Sequence, residues 1–432
     1  MGINFVQTFK ELKISLIEVT HSQVLFILSS ILLAHLMEPH VYGGFVTCLA
    51  FLTVLGQFSS MGFDMASIHS IPKFISSEQW GSIKSFLTTP WVFILSISLG
   101  LNGLLLVFSY WLGWEHSNTH EGIHYLWLAI PVTGLNIYLA GVLQSMGASR
   151  QGIISKTWMT QLFFIIILGL LFCLFDQLTL FQVIFCYSIS LMLTLTYQLY
   201  HLRKTASYSI LQSKNEIPVI NLLSISLPYC LMTSSTIIIL QTGILLIRFF
   251  GQEHQVAHYF IASGIIGFAG IFSQASTLYI PPKLAALQQN MNQNEICGFL
   301  ASQARFLFIT NTSFLLLISC FGKEILTLWG PGYEHAYDYV WICAFQSFLR
   351  PLSVTGGMAL AFLGHTGIYN KISYYTIVSI ISLSCLLGFF FNVLGIAIAV
   401  AIVFAGQGIA KWLIASKILK IPLKVFLGFS PQ

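Results

Sequence analysis

About twelve runs of mostly apolar residues follow one another along this chain, each long enough to cross the roughly 30 Å hydrocarbon core of a bilayer. Their centres fall from Leu28 and Leu52, through Ile165 and Ile237, to Ile380 and Val403. No other feature restricts the fold as much. Inside lipid the backbone has no water to bind, so only helices and closed barrels satisfy its amides and carbonyls. The runs are too long and unbroken for barrel strands, which alternate apolar and polar residues over about ten positions. Composition agrees: 8% of residues are charged, against about 25% in soluble domains, and the mean hydropathy is +0.82. The chain is therefore expected to be an all-α polytopic membrane protein.

Charge placement orients it. With both termini on the cytoplasmic side, most of the 19 Lys and Arg also face the cytoplasm, among them Lys73, Lys84, Arg150, Lys156, Arg203, Lys204 and the tail from Lys411 to Lys424. The opposite loops carry Glu38, Glu115, Glu121, Asp176, Glu253, Glu334 and Asp338 and few basic residues, which is the positive-inside pattern. The net charge of +5 thus belongs to topology and to anionic headgroups, and gives no sign of a nucleic-acid partner. No cleavable signal is expected ahead of the first span. The 8 cysteines are scattered without CxxC pairs, and read as small packing residues with no metal site.

Two halves of the chain echo each other. ILLAHLMEPHVYGGF near residue 35 and ILLIRFFGQEHQVAHYF near residue 248 each precede an apolar run that ends in a Pro-Lys site, at Pro72-Lys73 and Pro282-Lys283. LQSMGASRQGIISK and LAFLGHTGIYNK repeat the echo at a similar offset of roughly 210 residues. Duplication in so apolar a chain predicts two pseudo-symmetric six-helix bundles, residues 1–200 and 219–432, joined by a cytoplasmic linker at 201–218, with a substrate site between the repeats and alternating access as the mechanism. Phe74, Trp80, Ile83 and Phe86, and likewise Leu284, Leu287 and Met291, follow the Pro-Lys sites on single helical faces. They are expected to lie on the membrane surface.

The run AHLMEPHVYGGF, followed by GQFSSMGFDMASIHSIPKF, resembles the opening of bacterial oligosaccharide flippases; PPKLAALQ, WGPGYEHA and NVLGIAIAVAI extend the likeness through the second half. From about Leu16 to Leu419 the chain is similar to the polysaccharide-transporter branch of the multidrug/oligosaccharidyl-lipid/polysaccharide exporter superfamily. It departs in having Glu38 where that family usually has Gly, His35 where it often has Arg, and neutral Gln241, Thr242 and Gly243 where it often has an Asp-Arg pair. The resemblance implies a non-enzymatic transporter of the bacterial inner membrane, without cofactor, that flips an undecaprenyl-pyrophosphate-linked oligosaccharide.

Within the spans, charge is costly and marks a cavity or a partner. Arg350 stands near the middle of the tenth run, directly before Pro351. Its planar guanidinium suits a pyrophosphate; the alternative is a kink-stabilising pair with a carbonyl or with Asp64. Gln241, Gln346 and Asn136 offer hydrogen bonds to sugars or to neighbouring helices. Arg150, Lys156 and Lys371 mark a cytoplasmic entrance. Asp64, Glu18 and His21 are candidates for coupling to a proton or Na⁺, the other expected partners being membrane lipids. Arg248 reads as an interfacial anchor. Two other functions compete: a cation or drug antiporter of the same superfamily, which would prefer an acidic cavity, and a membrane glycosyltransferase or polymerase, against which stand the short external loops and the absence of a DxD motif.

Overall fold

The computed structural model describes residues 5–114, 117–175, 177–205, 213–214, 216–277, 280, 284 and 293–429. The regular structure among them is helical. The first sequence half holds α1 (Phe5–Leu36), α2 (Pro39–Ser59), α3 (Phe63–Ser76), α4 (Trp80–Trp111), α5 (Asn118–Ser145), α6 (Ser149–Ile154), a π-helical turn (Ser155–Met159), α7 (Thr160–Phe172) and α8 (Leu180–Thr205). The second holds α9 (Val219–Phe250), α10 (Glu253–Ala269), α11 (Ile271–Thr277), α12 (Gln293–Leu326), α13 (Ala336–Phe348), α14 (Arg350–Phe362), α15 (Thr366–Leu419) and the short α16 (Leu423–Phe426). Among the described residues nine helices are long and apolar enough to cross a membrane, or ten if α10 and α11, bent by 65° about Gly270, are one span. Large apolar side chains left exposed along them, such as Val92, Leu104, Val107 and Phe389, are what a surface facing lipid requires.

Local sequence explains the breaks. Pro39 opens α2, where its missing N–H would have been unpaired in any case. Ser117 caps α5 by accepting a hydrogen bond from the backbone N–H of His120. Helix α15 runs for 54 residues, which as a straight rod would measure about 80 Å. It is interrupted at Asn392, whose φ of 52° and ψ of −139° are not helical, leaving two stretches of membrane-spanning length. Helices α13 and α14 meet at Leu349, and Pro351 stands in the first turn of α14, where a missing N–H leaves no intrahelical bond unmade.

The chain forms two compact units, and they are not the two sequence halves. One comprises residues 1–30, 249–251 and 258–432; the other comprises residues 31–248 and 252–257. Most of α1 therefore packs with the C-terminal helices. The Gln23 side chain donates to the carbonyl of Gly264 at 3.0 Å, Phe26 meets Phe260 edge-on at 5.3 Å, and the Trp329 indole donates to Ser30 at 2.9 Å. Conversely, α9 packs with the N-terminal helices. Gln57 donates to Thr233 at 3.1 Å, and Gly62, with φ of +71°, brings its backbone against α9. The 201–218 linker divides the repeat, while side-chain packing assigns the first and seventh helices to the opposite unit.

Each unit has its own core. In the unit of residues 31–248, Phe63, Ala66, Ile71, Ile83, Phe86, Leu135, Tyr138 and Leu139 are buried together, with Phe74 and Trp80 packed against them. This corrects the expectation of a surface-lying segment after Lys73: Ile83 and Phe86 are fully buried, and the Phe74 and Phe86 rings lie 5.9 Å apart. The apolar face that looked made for lipid is satisfied by protein. The matching Leu287 and Met291 fall outside the described residues, as do Pro281, Pro282, Lys283, Glu115 and Asp176.

Candidate functional site

Arg350 lies at the junction of α13 and α14, deep in its unit yet with some accessible surface. Its guanidinium packs over Gly270: a Cβ placed there would sit 2.4 Å from an Arg350 terminal nitrogen. Gly270 is the point at which α10 and α11 bend by 65°. The charge thus stands where two spans are both interrupted. No hydrogen bond or ion pair to it is found among the described residues. Asp64, which sequence offered with a backbone carbonyl as an alternative partner, belongs to the other unit and is bound there to Lys156. Gln346, one turn before Arg350, is partly buried in the same unit.

A second cation near Arg350 escaped the sequence reading. Lys411 on α15, counted there with the basic tail, is only 5% exposed. Its ammonium lies 3.5 Å from the Ser353 hydroxyl and 4.6 Å from the centre of the Tyr369 ring. Its stem runs over Gly357, where a Cβ would stand 3.2 Å from the lysine Cδ. The available signal was the small-residue pattern Ser353, Gly356, Gly357 on α14 facing Gly408 and Lys411 on α15. Such pairs mark close helix contact, and a lysine within one is buried.

The unit of residues 31–248 brings two other predicted residues together. Asp64, in the first turn of α3 and fully buried, accepts from the Lys156 ammonium at 3.3 Å through one carboxylate oxygen. Its second oxygen, Oδ1, is buried without a partner. Lys156 belongs to the π-helical turn, and 40% of its side chain is exposed. A π turn in an otherwise regular span is often kept where function needs an irregular backbone. The Asp64 backbone is also pressed on Gly141, where a Cβ would come within 2.4 Å of its carbonyl oxygen.

The remaining predicted residues are dispersed. Asn136 donates to the Leu191 carbonyl at 3.0 Å, and its backbone carbonyl accepts from Gln198, which also reaches Ser155. Its amide group thus ties α5 to α8. Gln241 is partly buried on α9. Arg150 and Lys371 are exposed, each in a different unit. Glu18 is buried and His21 exposed, both on the part of α1 that packs with the C-terminal helices.

Arg248 is more than an anchor. It donates to the Thr119 hydroxyl at 2.9 Å, lies 3.5 Å from the Glu253 carboxylate, and stacks 4.4 Å from the Trp114 ring. Glu253 also accepts from the Thr119 backbone N–H, the Thr119 hydroxyl and the Asn118 amide at 2.7–2.8 Å. The carboxylate therefore sits on the amino end of α5, whose free N–H groups and dipole favour an anion. Gly43, the fifth residue of α2, lies directly against the Glu253 backbone. Residues from both sequence halves are thus knotted at one end of this unit, and Arg248 and Glu253 are satisfied by one another and by the first turn of α5.

With these helices and breaks in place, the fold is that of the MOP-superfamily transporters. An inward-facing multidrug resistance MATE family transporter of that superfamily superposes with a TM-score of 0.75 at 14% identity, over 93% of this chain and 95% of the other. An outward-facing conformation of such a transporter gives 0.65 at 14% identity, over 98% and 97%. The lipid II flippase MurJ, in an inward closed conformation, gives 0.71 at 13% identity, over 96% and 89%. By sequence, the chain belongs to the family described as polysaccharide biosynthesis protein, matched over residues 13–287. A comparison with curated proteins by sequence gives no match.

Proposed function

We propose that this protein is a transporter that flips a lipid-linked oligosaccharide, carried on undecaprenyl pyrophosphate, from the cytoplasmic to the outer leaflet of the bacterial inner membrane. The observation that carries the reading is Arg350: a guanidinium deep in a span, at the junction of two interrupted helices, with no ion pair to a carboxylate among the described residues. Leaving a charge so placed is costly unless a counter-charge arrives with the ligand. A pyrophosphate supplies that counter-charge, and its oxygens match the planar fork of an arginine. The family, which is one of polysaccharide biosynthesis, and the fold shared with a lipid II flippase support a glycolipid cargo. The site opens alternately to the two faces of the membrane, and no bond of the cargo is made or broken.

The test is glycan export in cells expressing Arg350→Ala, measured beside membrane abundance and thermal stability. An abundant, stable protein that no longer exports is the expected outcome, with partial export by Arg350→Lys, which keeps the charge and loses the fork. Full export by Arg350→Ala would remove the basis of the reading.

A second reading, an ion-coupled drug antiporter, draws on Asp64, whose unpartnered oxygen is a place for a proton or Na⁺ beside Lys156. The two readings separate with Asp64→Asn. Lost drug resistance with intact glycan export favours the antiporter, whereas a joint effect on glycan export makes Asp64 the coupling group of the flippase.

A further inference from the structure

We propose that Lys411 and Ser353 form a second phosphoryl-binding position beside Arg350, so that a pyrophosphate group is held at two points along α14. The inference rests on the flippase reading and adds to it a residue from the last long helix. Lys411 is a buried ammonium ion, 5% exposed, whose polar surroundings consist of the Ser353 hydroxyl at 3.5 Å and the Tyr369 ring face at 4.6 Å. Neither neutralises it, and no carboxylate pairs with it among the described residues. A lysine kept only for packing would be better replaced by an apolar side chain of similar length, because an uncompensated charge costs more than its stem contributes.

The surrounding sequence makes room for this lysine. Gly356 and Gly357 accept the α15 backbone and the lysine stem, with a hypothetical Cβ at 3.0 Å and 3.2 Å respectively. One turn earlier on α15, Gly408 lies against the carbonyl of Leu349, the residue just before Arg350. Arg350 and Ser353 are three residues apart on one helix, so their side chains leave the same face with about 5–6 Å between Cβ atoms. The Lys411–Ser353 contact therefore lies one helical turn along α14 from Arg350, a reach over which one pyrophosphate group is offered a cation at each end.

The experiment uses the full-length protein in lipid nanodiscs. Inorganic pyrophosphate and orthophosphate are titrated in one series, and undecaprenyl pyrophosphate is incorporated in the nanodisc in another. Affinity and ligand-induced thermal stabilisation are read for the wild type, Lys411→Met, Ser353→Ala and Arg350→Ala. Lys411→Met is expected to melt at or above the wild-type temperature without ligand, yet to bind pyrophosphate at least tenfold more weakly in whichever form the wild type binds. Ser353→Ala should fall between them. Wild-type affinity in Lys411→Met, with Arg350→Ala impaired, overturns the second position while sparing the first. Wild-type affinity in both variants overturns the head-group site itself. Loss of folded protein in Lys411→Met and also in Lys411→Gln would show a structural lysine and likewise overturn the proposal.

Discussion

Gly62 shows what a single residue decides here. It adopts φ of +71° between α2 and α3, and a Cβ would stand 2.3 Å from the Cys230 backbone nitrogen and 2.6 Å from the Ser226 carbonyl oxygen. Both restraints act on the backbone of α9, which cannot move aside as a flexible side chain would. Gly62→Ala should therefore destabilise the protein by about 2–4 kcal/mol, the sum of an unfavourable backbone region and an overpacked contact. Thermal unfolding in detergent measures it, and a variant that melts within a degree or two of the wild type would show that α9 does not press on this turn. The string SSMGFD was legible as part of a family resemblance. Its reason was not, because Cys230 lies more than 160 positions away along the chain. Arg350 was legible for the opposite reason: an arginine inside an apolar run stands out without knowledge of its neighbours.

At the scale of elements, the knot around Glu253 joins the two sequence halves within one unit. Arg248 and Glu253 are 9% and 11% exposed, so removing one partner leaves a nearly buried charge. Glu253→Gln should cost about 3–5 kcal/mol, and Arg248→Met with Glu253→Gln should cost less than Glu253→Gln alone. Additive losses in thermal stability would mean that the pair does not act as a unit. A second clasp lies at the other end of the same unit. Lys84 donates to the Ser213 carbonyl at 2.6 Å, and Ser85 accepts from the backbone N–H groups of Glu216 and Ile217. The linker thereby delivers α9 to the start of α4, which is how the seventh helix comes to pack with the first half.

For the whole molecule, counting α10 with α11 and α13 with α14 as one bent span each, and α15 as two spans divided at Asn392, would bring the nine long apolar helices of the described residues to the twelve expected from sequence. Twelve spans, an even number, would return the chain to the side on which it started. Reporter fusions at Ser117 and Ser213 are accordingly expected to read periplasmic and cytoplasmic, with both ends of the chain cytoplasmic. The same location for both reporters would overturn this topology. The exposed apolar belt agrees with a multi-pass protein, since residues such as Phe389, 80% exposed, would be a liability in water.

Hydropathy is a local property, so the sequence by itself determined the helical membrane class, the order of the spans and the family likeness. It also exposed Arg350 and Asp64, because charge inside an apolar run needs no partner to be noticed. Which helix faces which is not local. Gln23 bonds Gly264 across 241 positions, Arg248 bonds Thr119 across 129, and Asp64 finds Lys156 across 92. These pairings arise from packing, in which glycines admit one backbone and exclude another. Only the tertiary structure could therefore assign α1 and α9 to the opposite units, turn the amphipathic face after Lys73 inward, and bury Lys411, which sequence had counted with the basic cytoplasmic tail.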